Sequence, residues 1–139
     1  MMRPSITVLT LSIVAAGAIS EARAVGVDGV QIATQGAKPL GLAATAAAQG
    51  AVVPVAVVGT AIAETGAAIT LGAALIADSQ GRLIPSTGGL RVASGSTAVT
   101  SSAANGAILA GGDPPEFIIA DALQTASGAG EFIEVLLRR

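Results

Sequence analysis

The sequence has no cysteine, no histidine, no tryptophan and no tyrosine, and only two phenylalanines among its 139 residues. Without Cys or His there are no disulfides, no thiolate or imidazole metal ligands, and no Ser-His-Asp or Cys-His relay. Charge is scarce as well. Asp, Glu, Lys and Arg make up 12% of the chain and the formal net charge is −2, so nothing resembles an electrostatic footprint for nucleic acid. The single lysine, Lys38, precedes Pro39. No glycine loop therefore ends in Lys-Ser or Lys-Thr, and no G-x-S-x-G elbow is present.

What remains is 52% apolar and dominated by small residues, with 18 glycines. The length suits one domain, here taken as residues 1–139. Small side chains bury little area each, so a lone β-domain of this composition would be marginal. That argues for extra burial against other subunits.

The chain is organised around Ala51–Pro85, which holds two apolar runs, Val52–Val58 and Ala73–Ala77. Pro54 inside the first run excludes a helix and is compatible with an edge or bulged strand. Apolar residues at both odd and even positions of Val52–Val58 predict a strand buried on both faces. Asp28-Gly29 and Asp78–Gly81 read as hairpin turns. Glu131–Leu137 reads as a last strand, with Ile133, Val135 and Leu137 on one face. Ala43–Ala48 reads as one helical turn or an alanine-rich loop, and Asp121–Ser127 as a helical turn or a bulged strand. No clear internal repeat is visible. Short strands with frequent turn signals predict a mainly β fold, a small β-barrel or β-sandwich of short antiparallel strands with at most one or two helical turns.

The opening segment supports two readings. Met1–Ala24 has Arg3, an apolar middle and a small-x-small ending, the outline of a secretory signal peptide. Against that, Leu9, Leu11 and Ile13 alternate with Thr10 and Ser12, which favours a retained strand. The run is too short and too polar for a membrane span. Residues 1–22 are thus an N-terminal arm or strand. Residues 95–105, rich in Ser, Thr, Ala and Gly, read as a mobile loop.

The acids offer little chemistry. Glu131 and Glu134 fall on opposite faces of a strand, Asp113 and Glu116 flank a diproline, and Asp78 and Asp121 sit in turns. A calcium site from Asp78, Asp113 and Asp121 lacks the ligand spacing of a calcium loop.

Ala51–Ile62, Gly66–Pro85, Asp121–Leu137 and the opening Leu9–Gly29 together resemble the small capsid decoration, or cement, proteins of tailed bacteriophages. The resemblance covers most of the chain, with Leu90–Glu116 the poorest match. It implies a compact β-rich fold, usually a homotrimer, on the outside of the mature head, where it clamps neighbouring coat subunits. It implies no catalytic residues, no cofactor, no metal, no nucleic-acid partner and no membrane. The expected partners are the major capsid (coat) protein and other copies of this chain. The expected location is the capsid exterior, after assembly in the host cytoplasm. The expected coat contacts are Ile6, Val8, Leu9, Leu11 and Ile13 in the arm, and Ser94, Ser96, Thr97, Thr100 and Asn105 in and beside the loop. The rival reading is an exported β-rich envelope or adhesin-type domain, with residues 1–24 as its signal. An enzyme would have to work with carboxylates alone.

Overall fold

The period-two pattern of the opening segment forms an 8-residue strand, β1 (Thr7–Val14), and the apolar block after Gly50 forms a strand of 13 residues, β4 (Val52–Glu64). The structure is a computed structural model that describes residues 5–88, 100–101, 109–110 and 116–138. Between and after these strands come β2 (Ala24–Val25), β3 (Gly41–Ala43), β5 (Ala74–Ala77), β6 (Leu83–Pro85), β7 (Thr100–Ser101), β8 (Leu109–Ala110), β9 (Ala120–Ala122) and β10 (Phe132–Leu137). The main sheet runs β2-β3-β4-β10-β9-β5-β6, with β1 also on β4, and curls into a nearly closed antiparallel barrel. β7 and β8 pair separately. No helix occurs among the described residues.

Of the alternatives for Ala43–Ala48 and Asp121–Ser127, neither helical turn forms, and the non-helical readings hold. Ala47 exchanges backbone bonds with Ile19 (2.8 and 2.9 Å), and Ala126 does the same with Ile69 (2.9 Å each way). The helical propensity of alanine is a weak preference and loses to these cross-chain bonds. The two hairpin turns are as expected. Gly26 N–H donates to Val30 O, and Asp78 N–H to Arg82 O.

The chain contains an internal duplication that its sequence conceals. β1 pairs with the first part of β4 (Val14 opposite Val52), and the second part of β4 pairs with β10 in the matching way (Glu64 opposite Phe132). β2 pairs with β3 (Ala24 opposite Leu42) as β5 pairs with β9 (Ala74 opposite Asp121). β3 pairs with β4 (Ala43 opposite Val55) as β9 pairs with β10 (Ala122 opposite Val135). The connecting bonds repeat too. Ala22 N donates to Ala43 O as Gly72 N does to Ala122 O, and Ala16 N to Gly29 O as Gly66 N does to Leu83 O. Even backbone strain recurs: Ala22 has φ +63°, its counterpart Gly72 +80°; Gly50 has +86°, its counterpart Gly130 +85°. The first half therefore runs from β1 through the first part of β4. The second half runs from the second part of β4 through β10.

Gly59 joins the halves inside β4. Its φ is +102°, and a Cβ there would collide with the carbonyl of Ile6. Only glycine avoids both problems. Opposite it, β1 is irregular between Thr7 and Thr10.

Duplication also explains Pro54. This residue lies inside β4, opposite Ser12, and its carbonyl accepts from Ala44 N. Its counterpart Glu134 likewise accepts from Leu123 N, but the Glu134 N–H goes to the side chain of Gln124 at 2.8 Å. The amide at the counterpart position bonds a side chain and not the neighbouring backbone, so the same scheme accommodates a proline.

Each half has its own apolar centre. Val25, Val53, Val55, Ala15, Ile19 and Ala43 form the smaller one, and Leu75, Ile133, Val135, Ile69 and Ala122 lie in the larger. The expectation that Val52–Val58 is buried on both faces holds only in part. Val53, Val55, Ala56 and Val57 are buried, while Val52 and Val58 are exposed. β4 turns only one full face inward, and its other face is covered locally at Ala56.

Among the described residues, the contacts that join the halves have no counterparts. Ala24 N donates to Gly81 O (2.7 Å), Gly36 N to Ala77 O (2.9 Å) and Glu64 N to Ala22 O (2.9 Å). The Arg23 guanidinium grips both Glu64 carboxylate oxygens (2.9 and 3.2 Å) and also donates to Gln80 O. This half-buried, two-pronged pair fixes geometry as well as charge.

Candidate interaction surface

β1 combines an apolar sequence with exposure on both faces. Only Ile13 among its residues is partly buried, packing against the smaller core. Ile6 is 76% exposed and Val8 73%, and Leu9 and Leu11 are exposed as well. Among the described residues β1 pairs with β4 alone, so its other edge carries no strand. No charged residue occurs between Arg3 and Glu21. Exposed sheet edges are ordinarily blunted by lysine, proline or covering loops, because unpaired backbone groups recruit other strands. The β1 edge has a local irregularity near Val8 but no charge.

The structure thus brings together Ile6, Val8, Leu9 and Leu11 as an open apolar strand and sets Ile13 apart as a partial core residue. Thr100 is described only as a backbone member of β7, opposite Ala110. Ser94, Ser96, Thr97, Asn105 and most of the loop 95–105 lie outside the described residues.

The acids are occupied in turns and ion pairs. Asp78 is buried and accepts from the amides of Gln80 (2.8 Å) and Arg82 (2.9 Å) and from the Arg82 guanidinium (3.2 Å). Asp121 pairs with Arg138 at 2.7 Å. They are thus engaged separately, and Asp113 lies outside the described residues. Glu131 accepts from Ser127 and Gly128, closing the turn before β10. Among the described residues no group of three or more His, Cys, Asp or Glu could hold a metal ion.

Glu116 has a definite local role. It accepts from the Ser86 hydroxyl (2.8 Å), the Thr87 hydroxyl, and the amides of Thr87 (3.0 Å) and Gly88 (3.3 Å). It thereby ties the two ends of segment 89–115. Burial pushes its carboxyl up, but the Thr87 and Ser86 hydroxyls and the Thr87 and Gly88 amides outweigh that. The result lies below the ordinary value.

A cleft of about 570 Å³ opens beside β1, lined by Ser5, Thr7, Glu21, Leu42, Ile62 and Phe132 among others. Glu21 is its one ionisable lining group, so it holds no acid–base pair. No helix among the described residues is long and apolar enough to cross a membrane.

Sequence reasoning missed Leu71, Leu123 and Leu136, exposed leucines that the sheet places close together on the second half. Period two around Leu136 was a usable signal. Its significance depends on the duplication.

Three comparisons bear on this geometry. A family model described as phage cement protein matches residues 2–137. The crystal structure of the head fiber gp8.5 N base in bacteriophage phi29 superposes with a TM-score of 0.60. That match has 14% identity and covers 94% of this chain and 93% of that one, a likeness of fold. No curated protein matches the sequence.

Proposed function

The chain belongs to the phage cement protein family, a family of structural phage head proteins, and on that premise we propose that it binds the outer surface of the mature head and stabilises the coat lattice. The observation that carries this reading is the family match over residues 2–137. The apolar strand β1, open along one edge, supplies a means. Its partner is the major capsid protein, met by Ile6, Val8, Leu9 and Leu11, with the segment around residues 94–105 as a second contact. Copies of the chain act as a homotrimer on the capsid exterior.

The mechanism is mass action. A ligand that binds only the expanded lattice stabilises that lattice by its binding free energy, in proportion to ln(1 + [L]/Kd). Many copies, each with a modest interface, sum to a large effect. β1 suits the task because main-chain pairing along an edge is insensitive to exact side-chain identity.

The rival export reading has a structural difficulty. Cleavage after Ala24 would remove β1 and the buried residues Ala15, Ile19, Ala22 and Ala24.

Co-sedimentation of the full chain with expanded, undecorated heads of its own phage tests the proposal. Saturable binding to expanded heads and none to unexpanded heads is expected. Absence of binding to both would overturn it. Leu11→Lys and Val8→Lys are expected to weaken binding by about tenfold or more, since each places a charge at a desolvated contact.

A further inference from the structure

One contact between the halves leaves two unused ends. Glu64, in the second part of β4, meets the turn before β2 of the first half. Its N–H donates to Ala22 O at 2.9 Å, and its carboxylate pairs with Arg23 beside that bond. In the duplication Ala22 and Arg23 correspond to Gly72 and Ala73, and Glu64 corresponds to Val14. The acceptor turn therefore recurs at Gly72 on the second half, and the donor strand at Val14 on the first.

Both recurrences are open. Ala22 is buried, whereas Gly72 is exposed, with nothing within 4 Å of where a Cβ would sit. Val14 is 61% exposed. Ala15 N donates to Ala51 O, and the bonds of an antiparallel pair alternate, so the Val14 amide points away from β4. Among the described residues neither Val14 N nor Gly72 O has a hydrogen-bond partner. The donor and the acceptor that are joined once within the chain are thus both left over at their second occurrence.

The side chains around these ends change together. The charged pair Arg23 and Glu64 becomes Ala73 and Val14. Glu21, beside the bonded turn, becomes Leu71, 67% exposed. Glu21 shares its cleft with Phe132, whose counterpart is Val52, 64% exposed. A single exposed apolar residue is ordinary, but here charge is exchanged for apolar surface on both members of one contact. Two counterparts are polar, Ser12 for Ile62 and Asp28 for Gln80. Ser12 carries no charge, and the exposed Asp28 accepts from the Val30 amide of its own turn at 3.1 Å, as suits the rim of a contact.

We propose that one copy of the chain docks its turn 71–73 on the Val14 end of β1 of the next copy, repeating between copies the contact made within each. Gly72 O of one copy accepts from Val14 N of the other, and Leu71 and Ala73 pack against Val52 and Val14. The occupant is a second copy because the chain itself carries the matching surface, and the new contact continues an interface that the chain already forms. Such a contact is head-to-tail and closes into a ring when its rotation allows. This deepens the self-association in the reading above and rests on it, and it leaves Ile6, Val8, Leu9 and Leu11 to the coat.

The test is the molar mass of the free full-length chain, without heads, over a concentration series. Wild type is compared with Leu71→Ser, with Val14→Glu, and with the double variant that adds Ala73→Arg to Val14→Glu. The double variant transplants the Arg23–Glu64 pair to the proposed contact. Circular dichroism and thermal unfolding check each fold, and exposed Leu71 provides a variant that is expected to fold whatever the fate of the others. Wild type is expected to assemble, Leu71→Ser and Val14→Glu at least about tenfold less tightly, and the double variant to within about threefold of wild type. A monomeric wild type would overturn the proposal, as would single variants that assemble like wild type. A folded double variant that assembles no better than Val14→Glu would overturn the pairing of these two ends. Head binding is read separately: its absence in a wild type that still assembles would overturn the coat reading and leave this contact standing.

Discussion

The two halves of this protein share one hydrogen-bonding scheme and differ in the side chains that fill it. At equivalent inward positions the first half has Val25 and Val53, the second Leu75 and Ile133. At one equivalent outward position the first has buried Ala56, and the second has exposed Leu136. The first half is thinner inside, and its strand β1 stands exposed on both faces. A scheme that tolerates both fillings is held by its backbone bonds and its few strained positions more than by any one side chain. The difference also divides the labour. The second half supplies most of the shared core, and the first half carries the open edge.

The comparison can be tested hardest in the two centres. Leu75→Ala is expected to destabilise by about 2–5 kcal/mol, because a fully buried leucine leaves a cavity. The equivalent Val25→Ala removes a smaller group and should cost about 1.5 kcal/mol, from roughly 0.8 kcal/mol per buried methylene. Urea unfolding reads both. Equal losses would contradict the thinner first half.

Next comes a pair where the halves differ in tightness. Gly41 in β3 corresponds to Ala120 in β9. A methyl at Gly41 would strike the Ala56 carbonyl and the Val55 side chain. Gly41→Ala is expected to cost about 1–3 kcal/mol by overpacking. Ala120→Gly should cost about 1–2 kcal/mol, from chain entropy and the loss of a buried methyl. Thermal unfolding of both variants compares them.

The strained pair should show a smaller effect of opposite sign. Gly72, at φ +80°, has open space where a methyl would sit, so Gly72→Ala isolates the left-handed backbone penalty, about 1 kcal/mol. Ala22→Gly, at φ +63°, relieves that penalty at the cost of unfolded-state entropy and a buried methyl. It is expected to lie within about 1 kcal/mol of wild type.

The smallest effect concerns Glu116, in the stretch between β6 and β9. Glu116 has a carboxyl held below its ordinary value in the folded chain. Its contribution is therefore present above the ordinary carboxylate range and is lost as pH falls through the lowered value. Amide exchange at Thr87 and Gly88 should quicken over that acid range, and Glu116→Gln should flatten the response. Pairing with exposed groups keeps the effect on global stability small.

Much of the architecture was legible in the residues. Alternation pointed to β1 and both faces of β10, Asp28-Gly29 and Asp78–Gly81 marked the two hairpin turns, and Pro54 excluded a helix. The duplication was not legible, for two physical reasons. Equivalent positions keep a role and not an identity, as Ala22 and Gly72 share only a left-handed backbone. Insertions also shift the spacing between halves, from 50 residues at Ile19 and Ile69 to 80 at Val55 and Val135. The same blindness left Ala43–Ala48 and Asp121–Ser127, which are equivalent segments, undecided between a helical turn and a non-helical form. Each is held extended by a distant isoleucine that no local window contains. The open strand β1 was readable from its pattern.

The central claim is that the protein stabilises the expanded head, and the disruption temperature of expanded, undecorated heads measures it most directly. Calorimetry with increasing amounts of the full chain should show that temperature rising with the logarithm of free protein once binding sites begin to fill, while unexpanded heads stay unchanged. A disruption temperature that stays constant, or falls, while the protein is bound would contradict the account.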